Sequence, residues 1–182
     1  MRCAYRLLLT TIVIATAALS QVADASRPAP VVPTTIQVGD GNKVFLIGHA
    51  VGVQIYSCNA TAGDFKWGLV APRANLYDDH GKLIVTHFGG PTWRAKDGST
   101  VVGRREQQVT VDPTAIPWLL LSRASTTAGE DGDRLKSTTF IQRIATTGGL
   151  APAVAECDAT TAGAEIEVPY TADYYFWKKT GA

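Results

Sequence analysis

The sequence lacks several features that would assign it to a common functional class. Among its 182 residues, 17 are Lys or Arg and 16 are Asp or Glu, so the formal net charge is +1. Proteins that bind nucleic acids or membrane surfaces carry a clear basic excess, and the balanced charge argues against both classes. Charged residues make up 18% of the chain and apolar residues 46%, a composition typical of a folded domain.

Helical periodicity is also scarce after the N-terminal segment, and short stretches of alternating apolar and polar residues take its place. The alternation is visible over residues 51–56 and is clearest over residues 166–176. Turn sequences at residues 78–81 and 97–99 separate such stretches. Pro169 cannot donate a ladder hydrogen bond, so we expect an edge or a bulge there. The pattern predicts an all-β fold with little helix, an antiparallel sandwich or barrel of about eight short strands.

The first 25 residues have the organisation of a secretory signal peptide. Arg2 and Arg6 precede an uncharged apolar run over residues 7–19, and the small residues Ala23 and Ala25 follow it. An uncleaved anchor is the alternative, but the run is shorter than the ~20 residues that span a bilayer. We expect cleavage after Ala25 and a secreted or periplasmic protein, with no membrane span in the mature chain.

The mature chain is predicted to be one β-rich domain preceded by an arm. Residues 26–47 contain Pro28, Pro30 and Pro33, which favour an extended N-terminal arm that leads into the first strand region. Residues 48–182 carry the remaining strand patterns without a repeat, and their number suits a single domain of roughly 100–200 residues. The sequence gives no indication of the oligomeric state.

Cysteine is rare, with three residues in the whole chain. Cys3 lies in the signal peptide, so the mature chain keeps Cys58 and Cys157. Two cysteines in an exported protein most simply form a disulfide, and we predict that these two are joined. Two free buried thiols are the alternative. A catalytic thiol is disfavoured because no basic cluster flanks either cysteine to lower its pKa.

Motifs for cofactors and metals are incomplete. Residues 39–44 begin like the dinucleotide-binding motif GxGxxG, but they end in Val44 and precede a strand rather than a helix, so we expect no cofactor of this type. His49, His80 and His87 have no spacing typical of metal ligands, and we expect no metal site.

One segment, residues 87–99, combines residue types that suit a functional site. It places His87, which titrates near neutrality, before a Gly-Gly-Pro turn and Trp93, whose flat ring suits ligand contact. We predict that His87 and Trp93 line a pocket, and that Asp97 pairs with His87 and raises its pKa. The alternative is a tight turn closed by a core tryptophan, with His87 bonded to the backbone.

A series of motifs in fixed order runs along the mature chain. The main ones are GVQIYSC at residues 52–58, HFGGPTW at 87–93, IPWLLL at 116–121, IQR at 141–143 and PYTADYYF at 169–176. In order and content these motifs resemble the secreted domain-of-unknown-function 3455 family, over a region from about Gly48 to Trp177. The resemblance implies an exported protein of bacteria or fungi, with no established activity, substrate or cofactor.

Three functions follow as hypotheses. The first is a secreted module that binds an extracellular small molecule, glycan or surface, with His87, Trp93 and Tyr56 near the ligand. The second is a small extracellular hydrolase or lyase that uses His87 and Asp97. The third is a structural or interaction protein without a small-molecule site. A pocket with His87 beside a carboxylate would favour the enzyme, and an aromatic groove without titratable partners would favour the binding module.

Overall fold

The computed structural model describes residues 27–181, and in this part of the chain eight antiparallel strands form a closed barrel. Each strand pairs with its neighbours in sequence, and the last strand pairs with the first. The strands are β1 (Asn42–Thr61), β2 (Asp64–Tyr77), β3 (Leu83–Phe88), β4 (Thr92–Ala95), β5 (Thr100–Val109), β6 (Trp118–Thr127), β7 (Thr138–Gly148) and β8 (Glu165–Lys179). Two 3₁₀ turns, Thr34–Ile36 and Val154–Glu156, are the helical elements of the described part. The all-β prediction is confirmed, and of the two predicted architectures, a sandwich and a barrel, the structure is the barrel.

The predicted signal peptide, residues 1–25, lies outside the described residues. Within residues 27–181, no helix is long and apolar enough to cross a membrane.

Strand alternation in β8 divides its side chains between the barrel interior and the outer surface. Tyr170, Ala172, Tyr174 and Phe176 are buried in the interior core, as the sequence pattern indicates. Pro169 pairs with Val53 of β1, whereas the pairing of β8 with β7 ends one residue later at Tyr170. Pro169 therefore lies at an edge on the β7 side, which confirms the expectation for this residue.

The alternation in β1 runs against the hydrophobicity of its residues. Gln54 and Tyr56 are buried, whereas Val51 is 59% exposed. Gly52 lies between them, and a Cβ atom there would come within 2.2 Å of the Arg73 carbonyl oxygen, so β1 and β2 need glycine at this close approach. In this part of β1 the buried positions are thus occupied by Gln54 and Tyr56 rather than by aliphatic side chains.

An N-terminal arm covers part of the outer surface. Ile36 in the first 3₁₀ turn is fully buried against Leu120 of β6 and Ile144 of β7. The buried amide of Gln142 donates from Nε2 to the Ile36 carbonyl (2.7 Å) and accepts from Trp177 Nε1 (2.9 Å). The arm therefore closes a second, outer apolar cluster whose polar groups are satisfied.

The start of the arm is held by a short chain of charged groups. Arg27 Nη1 donates to Asp79 Oδ2 (3.0 Å), and the other carboxylate oxygen of Asp79 lies 2.9 Å from His49 Nε2. His49 Nδ1 lies 2.7 Å from Asp173 Oδ1. Hydrogen bonds that the His49 imidazole donates to the carboxylates of Asp79 and Asp173 raise its pKa, although partial burial opposes them.

The predicted disulfide between Cys58 and Cys157 is confirmed. It joins the end of β1 to the segment that precedes β8. Backbone hydrogen bonds support the same junction, because Cys58 N donates to Ala164 O (2.9 Å) and Gly163 N donates to Cys58 O (2.8 Å). The bridge thus fixes a long connecting segment, which has little regular structure of its own, to the barrel wall.

Candidate functional site

A cavity of about 480 Å³ opens at the end of the barrel that carries the β3–β4 turn. This volume lies within the range of roughly 300–1,000 Å³ that is typical of small-molecule sites. The lining residues come from all eight strands and the β3–β4 turn: Gln54, Leu69, Val70, Ala71, Pro72, His87, Gly90, Pro91, Trp93, Gly103, Arg104, Arg105, Leu119, Leu121, Arg143 and Tyr174. The lining is mostly apolar, and every charged side chain in it is an arginine.

His87 and Trp93 are among the residues that line this cavity, but both side chains are almost fully buried, at 3% and 1% exposed. Trp93 belongs to the interior core and His87 is bonded to the backbone, which are the features of the alternative stated for this segment. They are paired across β3 and β4, and their rings stack with centroids 4.2 Å apart and planes 7° from parallel. Tyr174 approaches both rings edge-on. Gly90, with a φ of 90°, and Pro91 form the turn that allows the two strands to bring these rings together.

The environment of His87 keeps its imidazole neutral. Burial lowers the pKa of His87 to about 3, with the nearby Arg143 charge acting in the same direction and the bond to Thr92 opposing it. His87 Nδ1 lies 2.9 Å from the Thr92 carbonyl oxygen. Since a carbonyl can only accept, Nδ1 carries the proton and Nε2 is an acceptor.

The predicted pair between His87 and Asp97 is wrong, and so is the raised pKa that it implied. Asp97 lies beyond β4, at the opposite end of that strand from the β3–β4 turn. Its Oδ1 accepts from Ser99 N (3.0 Å) and Ser99 Oγ (2.6 Å), and its Oδ2 accepts from Arg134 N (2.8 Å). Asp97 is used to hold the β4–β5 turn, while a backbone carbonyl provides the hydrogen bond that His87 needs.

Tyr56 lies outside the set of residues that line the cavity. Its hydroxyl donates to the Gly149 carbonyl oxygen at 2.7 Å, and the side chain is 8% exposed. This bond ties the end of β1 to the turn that follows β7. Of the three aromatic and imidazole side chains that the sequence suggested for ligand contact, the structure brings two, His87 and Trp93, to the cavity.

Two lining residues were not found from the sequence, Gln54 and Arg143. Both occupy inward positions of their strands, where polar residues are unusual. Arg143 follows the buried interior residue Ile141 by two positions and pairs with Leu119 on one side and Tyr174 on the other. A signal for both was therefore present in the strand alternation, once the inner face of each strand was known.

Two buried polar atoms in the cavity lining have no hydrogen-bond partner in the described part of the chain. They are Gln54 Nε2 and Trp93 Nε1, on side chains that are 2% and 1% exposed. Leaving a buried donor unsatisfied costs roughly 1–3 kcal/mol. Both atoms are enclosed in the cavity wall, so an acceptor in the cavity would recover this cost after a small shift of the surrounding side chains.

The side chain of Arg143 is held at the cavity wall by hydrogen bonds to a backbone carbonyl. Its Nε and Nη2 both donate to the Pro117 carbonyl oxygen, at 3.2 and 2.8 Å. Within residues 27–181, no carboxylate lies within ion-pair distance of its guanidinium. The cavity thus contains a fixed positive charge without an acidic partner.

Residues 27–181 contain no group of three or more His, Cys, Asp or Glu side chains arranged to hold a metal ion. His49 lies among Asp79 and Asp173, whereas His87 faces the interior, so these two histidines do not meet.

Comparison with protein-family models identifies a match over residues 39–178, to the family described as protein of unknown function (DUF3455). The chain belongs to the DUF3455 family. The match covers most of the chain and all eight strands of the barrel except the last residue of β8. No curated protein and no solved structure matches the chain. The DUF3455 match includes every residue that lines the cavity.

Proposed function

We propose that this DUF3455 protein is an exported binding protein that takes one small amphipathic molecule into the open end of its barrel. The observation that carries the proposal is the cavity of about 480 Å³, whose apolar wall includes the unpartnered buried donors of Gln54 and Trp93. Eight-stranded barrels have an interior wide enough to hold one small ligand. Export is part of the proposal, because a disulfide is stable in oxidising compartments and the N-terminal sequence has the pattern of a signal peptide.

The apolar lining supports an amphipathic molecule more than a glycan. A sugar ring stacks on an open aromatic face. Trp93 is 1% exposed, and one face of its ring is covered by His87. Leu69 and Val70, by contrast, are 57% and 54% exposed at the mouth of the cavity, where an apolar ligand would cover them.

An acid–base enzyme is less well supported. A hydrolase or lyase of the type considered above would need His87 beside a carboxylate, and no Asp or Glu belongs to the lining of this cavity. His87 is instead bonded to the backbone and stacked on Trp93. We therefore do not assign a catalytic role to His87 or Asp97.

The proposal is tested by titration with the neutral fluorescent dye phenylnaphthylamine, whose emission rises in apolar surroundings. We expect saturable binding of one dye molecule per chain. The variant Leu119→Trp, which adds bulk to a lining residue, should weaken the binding by at least about tenfold. Val111→Trp is the matched control, because Val111 is 48% exposed and lies outside the cavity. Absence of saturable binding, or equal binding by both variants, would contradict the proposal.

A further inference from the structure

The charge of the cavity narrows the class of its ligand. Among the residues that line it are Arg104, Arg105 and Arg143, and none is an Asp or Glu. Arg104 pairs with Glu106 (2.9 Å), and Arg105 Nη1 donates to Gln108 (3.1 Å). Neither Arg105 nor Arg143 has a carboxylate partner among residues 27–181; of the two, Arg143 is the partly buried one, and its guanidinium is fixed by the Pro117 carbonyl.

Arg143 is also placed where its charge acts on the whole interior of this end of the barrel. Its register partners, Leu119 in β6 and Tyr174 in β8, both line the cavity. The guanidinium lowers the pKa of His87 on β3 and also acts on Tyr56 of β1. A positive charge fixed among apolar and aromatic side chains is weakly screened, so it favours a negative group in the same space.

The polar groups of the lining are mostly hydrogen-bond donors. Gln54 Nε2 and Trp93 Nε1 have no partner among residues 27–181, and the Arg143 guanidinium, besides its bonds to Pro117, is close enough to the Tyr174 hydroxyl to hydrogen-bond it. His87 Nε2 is an acceptor, because the proton of the neutral ring lies on Nδ1. A carboxylate accepts several hydrogen bonds at once, and bonds from charged donors to it are the strong ones.

Building on the proposed binding function, we infer that the ligand is a carboxylate-bearing amphiphile: its carboxylate pairs with Arg143, and its apolar body lies along Leu69, Val70 and Leu119. The apolar end of such a molecule points towards the exposed leucine and valine at the mouth. The acid group lies on the side of β7, where the arginine is anchored by the Pro117 carbonyl.

Matched probes separate the role of charge from that of the cavity. Phenylnaphthylamine and its sulfonated counterpart, anilinonaphthalene sulfonate, share an aromatic body and differ in the acid group. Dodecanoate and dodecanol, used to displace the neutral dye, form a second pair in which the acid group is a carboxylate. The variants are Arg143→Gln, which removes the charge, and Arg143→Lys, which keeps it. Arg94→Gln, at an exposed arginine of β4 outside the cavity, is the control for loss of an arginine.

We expect Arg143→Gln to weaken binding of the sulfonated dye and of dodecanoate by at least about tenfold, since a hydrogen-bonded charge pair is lost. Binding of the neutral dye and of dodecanol should change by less than about threefold. Arg143→Lys should keep most of the preference for the acids, and Arg94→Gln should keep it fully. Thermal unfolding of each variant confirms that it is folded.

Two results would overturn the inference while the proposed function stands. The first is that the wild-type protein binds the neutral probes as tightly as the acids. The second is that Arg143→Gln weakens both members of each pair equally. If the wild-type protein binds none of the four probes, the inference and the proposed function fail together.

Discussion

The imidazole of His87 lies flat on the indole of Trp93, with ring centroids 4.2 Å apart, and its Nδ1 is bonded to the carbonyl of Thr92. This arrangement places a titratable ring in the barrel interior without any carboxylate to stabilise its charged form. Burial therefore dominates, and the pKa of His87 falls to about 3. The buried imidazole therefore makes the fold less stable at acidic pH.

Removal of His87 should reduce the acid sensitivity of the fold. The unfolded chain binds a proton at this residue below about pH 6.5, whereas the folded chain does not until about pH 3. Stability is therefore complete above the unfolded pKa and falls as the pH decreases towards the folded one. On going from about pH 7 to about pH 5, this one residue should lower the free energy of unfolding by about 2 kcal/mol. Urea unfolding at both pH values should show this loss in the wild-type protein but not in His87→Phe.

The control for this measurement is His80→Gln, because His80 lies on the exposed β2–β3 turn. It should retain the acid sensitivity of the wild-type protein. An equal loss of stability in the wild type and in His87→Phe would show that the buried imidazole does not contribute.

His49 should have the opposite pH dependence. Its pKa is raised by the hydrogen bonds to Asp79 and Asp173, so its contribution to stability is present below about pH 6.5 and is lost as the pH rises through the folded value. Because the site is partly exposed, we expect protonated His49 to add no more than ~1 kcal/mol to the free energy of unfolding. Titration of the imidazole signals by NMR should show a lower pKa for His49 in Asp79→Asn. Asp131→Asn, in a different loop, should leave it unchanged.

The disulfide should contribute strongly to stability. Replacing Cys58 and Cys157 by alanine should cost about 2–5 kcal/mol, the usual effect of removing a native bridge from a small secreted domain. Urea unfolding of the double variant measures this cost, and reduction of the wild-type protein should give a similar midpoint. Native protein whose thiols react with a maleimide without prior reduction would contradict the bridge.

The attachment of the N-terminal arm to the barrel should depend on Ile36. This side chain is fully buried against Leu120 and Ile144, so Ile36→Ala should cost about 2–5 kcal/mol and make the arm more sensitive to proteases. Val31 in the same arm is 98% exposed, and Val31→Ala is the matched control with no expected effect. Stability is followed by urea unfolding and arm release by limited proteolysis. Equal behaviour of the two variants would show that the arm does not add to the core.

Local patterns were sufficient to predict much of the fold. The apolar alternation of β8 matches its buried face because that face packs in the interior core, and the sequences DDHG at 78–81 and DGS at 97–99 mark the turns that follow β2 and β4. Barrel closure was not decided by local pattern, since it depends on the pairing of β1 with β8, two segments at opposite ends of the domain. A sandwich and a barrel share the same strand patterns.

The cavity was predicted less completely. His87 and Trp93 were found because residue types near a Gly-Gly-Pro turn suggest a site, but the partner of His87 was a backbone carbonyl, which no sequence pattern reveals. Gln54 and Arg143 were missed because hydrophobic alternation assigns polar residues to the outer face. A barrel that places a few polar side chains in its interior reverses that assignment locally, as the exposed Val51 near the buried Gln54 illustrates.

The most direct test of ligand entry into the barrel uses the indole N–H signals of the tryptophans in an NMR titration with dodecanoate. Trp67 Nε1 donates to the Ala153 carbonyl and Trp177 Nε1 to Gln142, whereas Trp93 Nε1 is unpartnered in the cavity lining. The Trp93 signal is assigned by its loss in Trp93→Phe. We expect it to shift progressively and saturate with dodecanoate, while the signals of Trp67, Trp177 and Trp118, which also lies outside the cavity lining, stay in place. A Trp93 signal that does not move, or one that moves no more than the other three, would contradict a binding site inside the barrel.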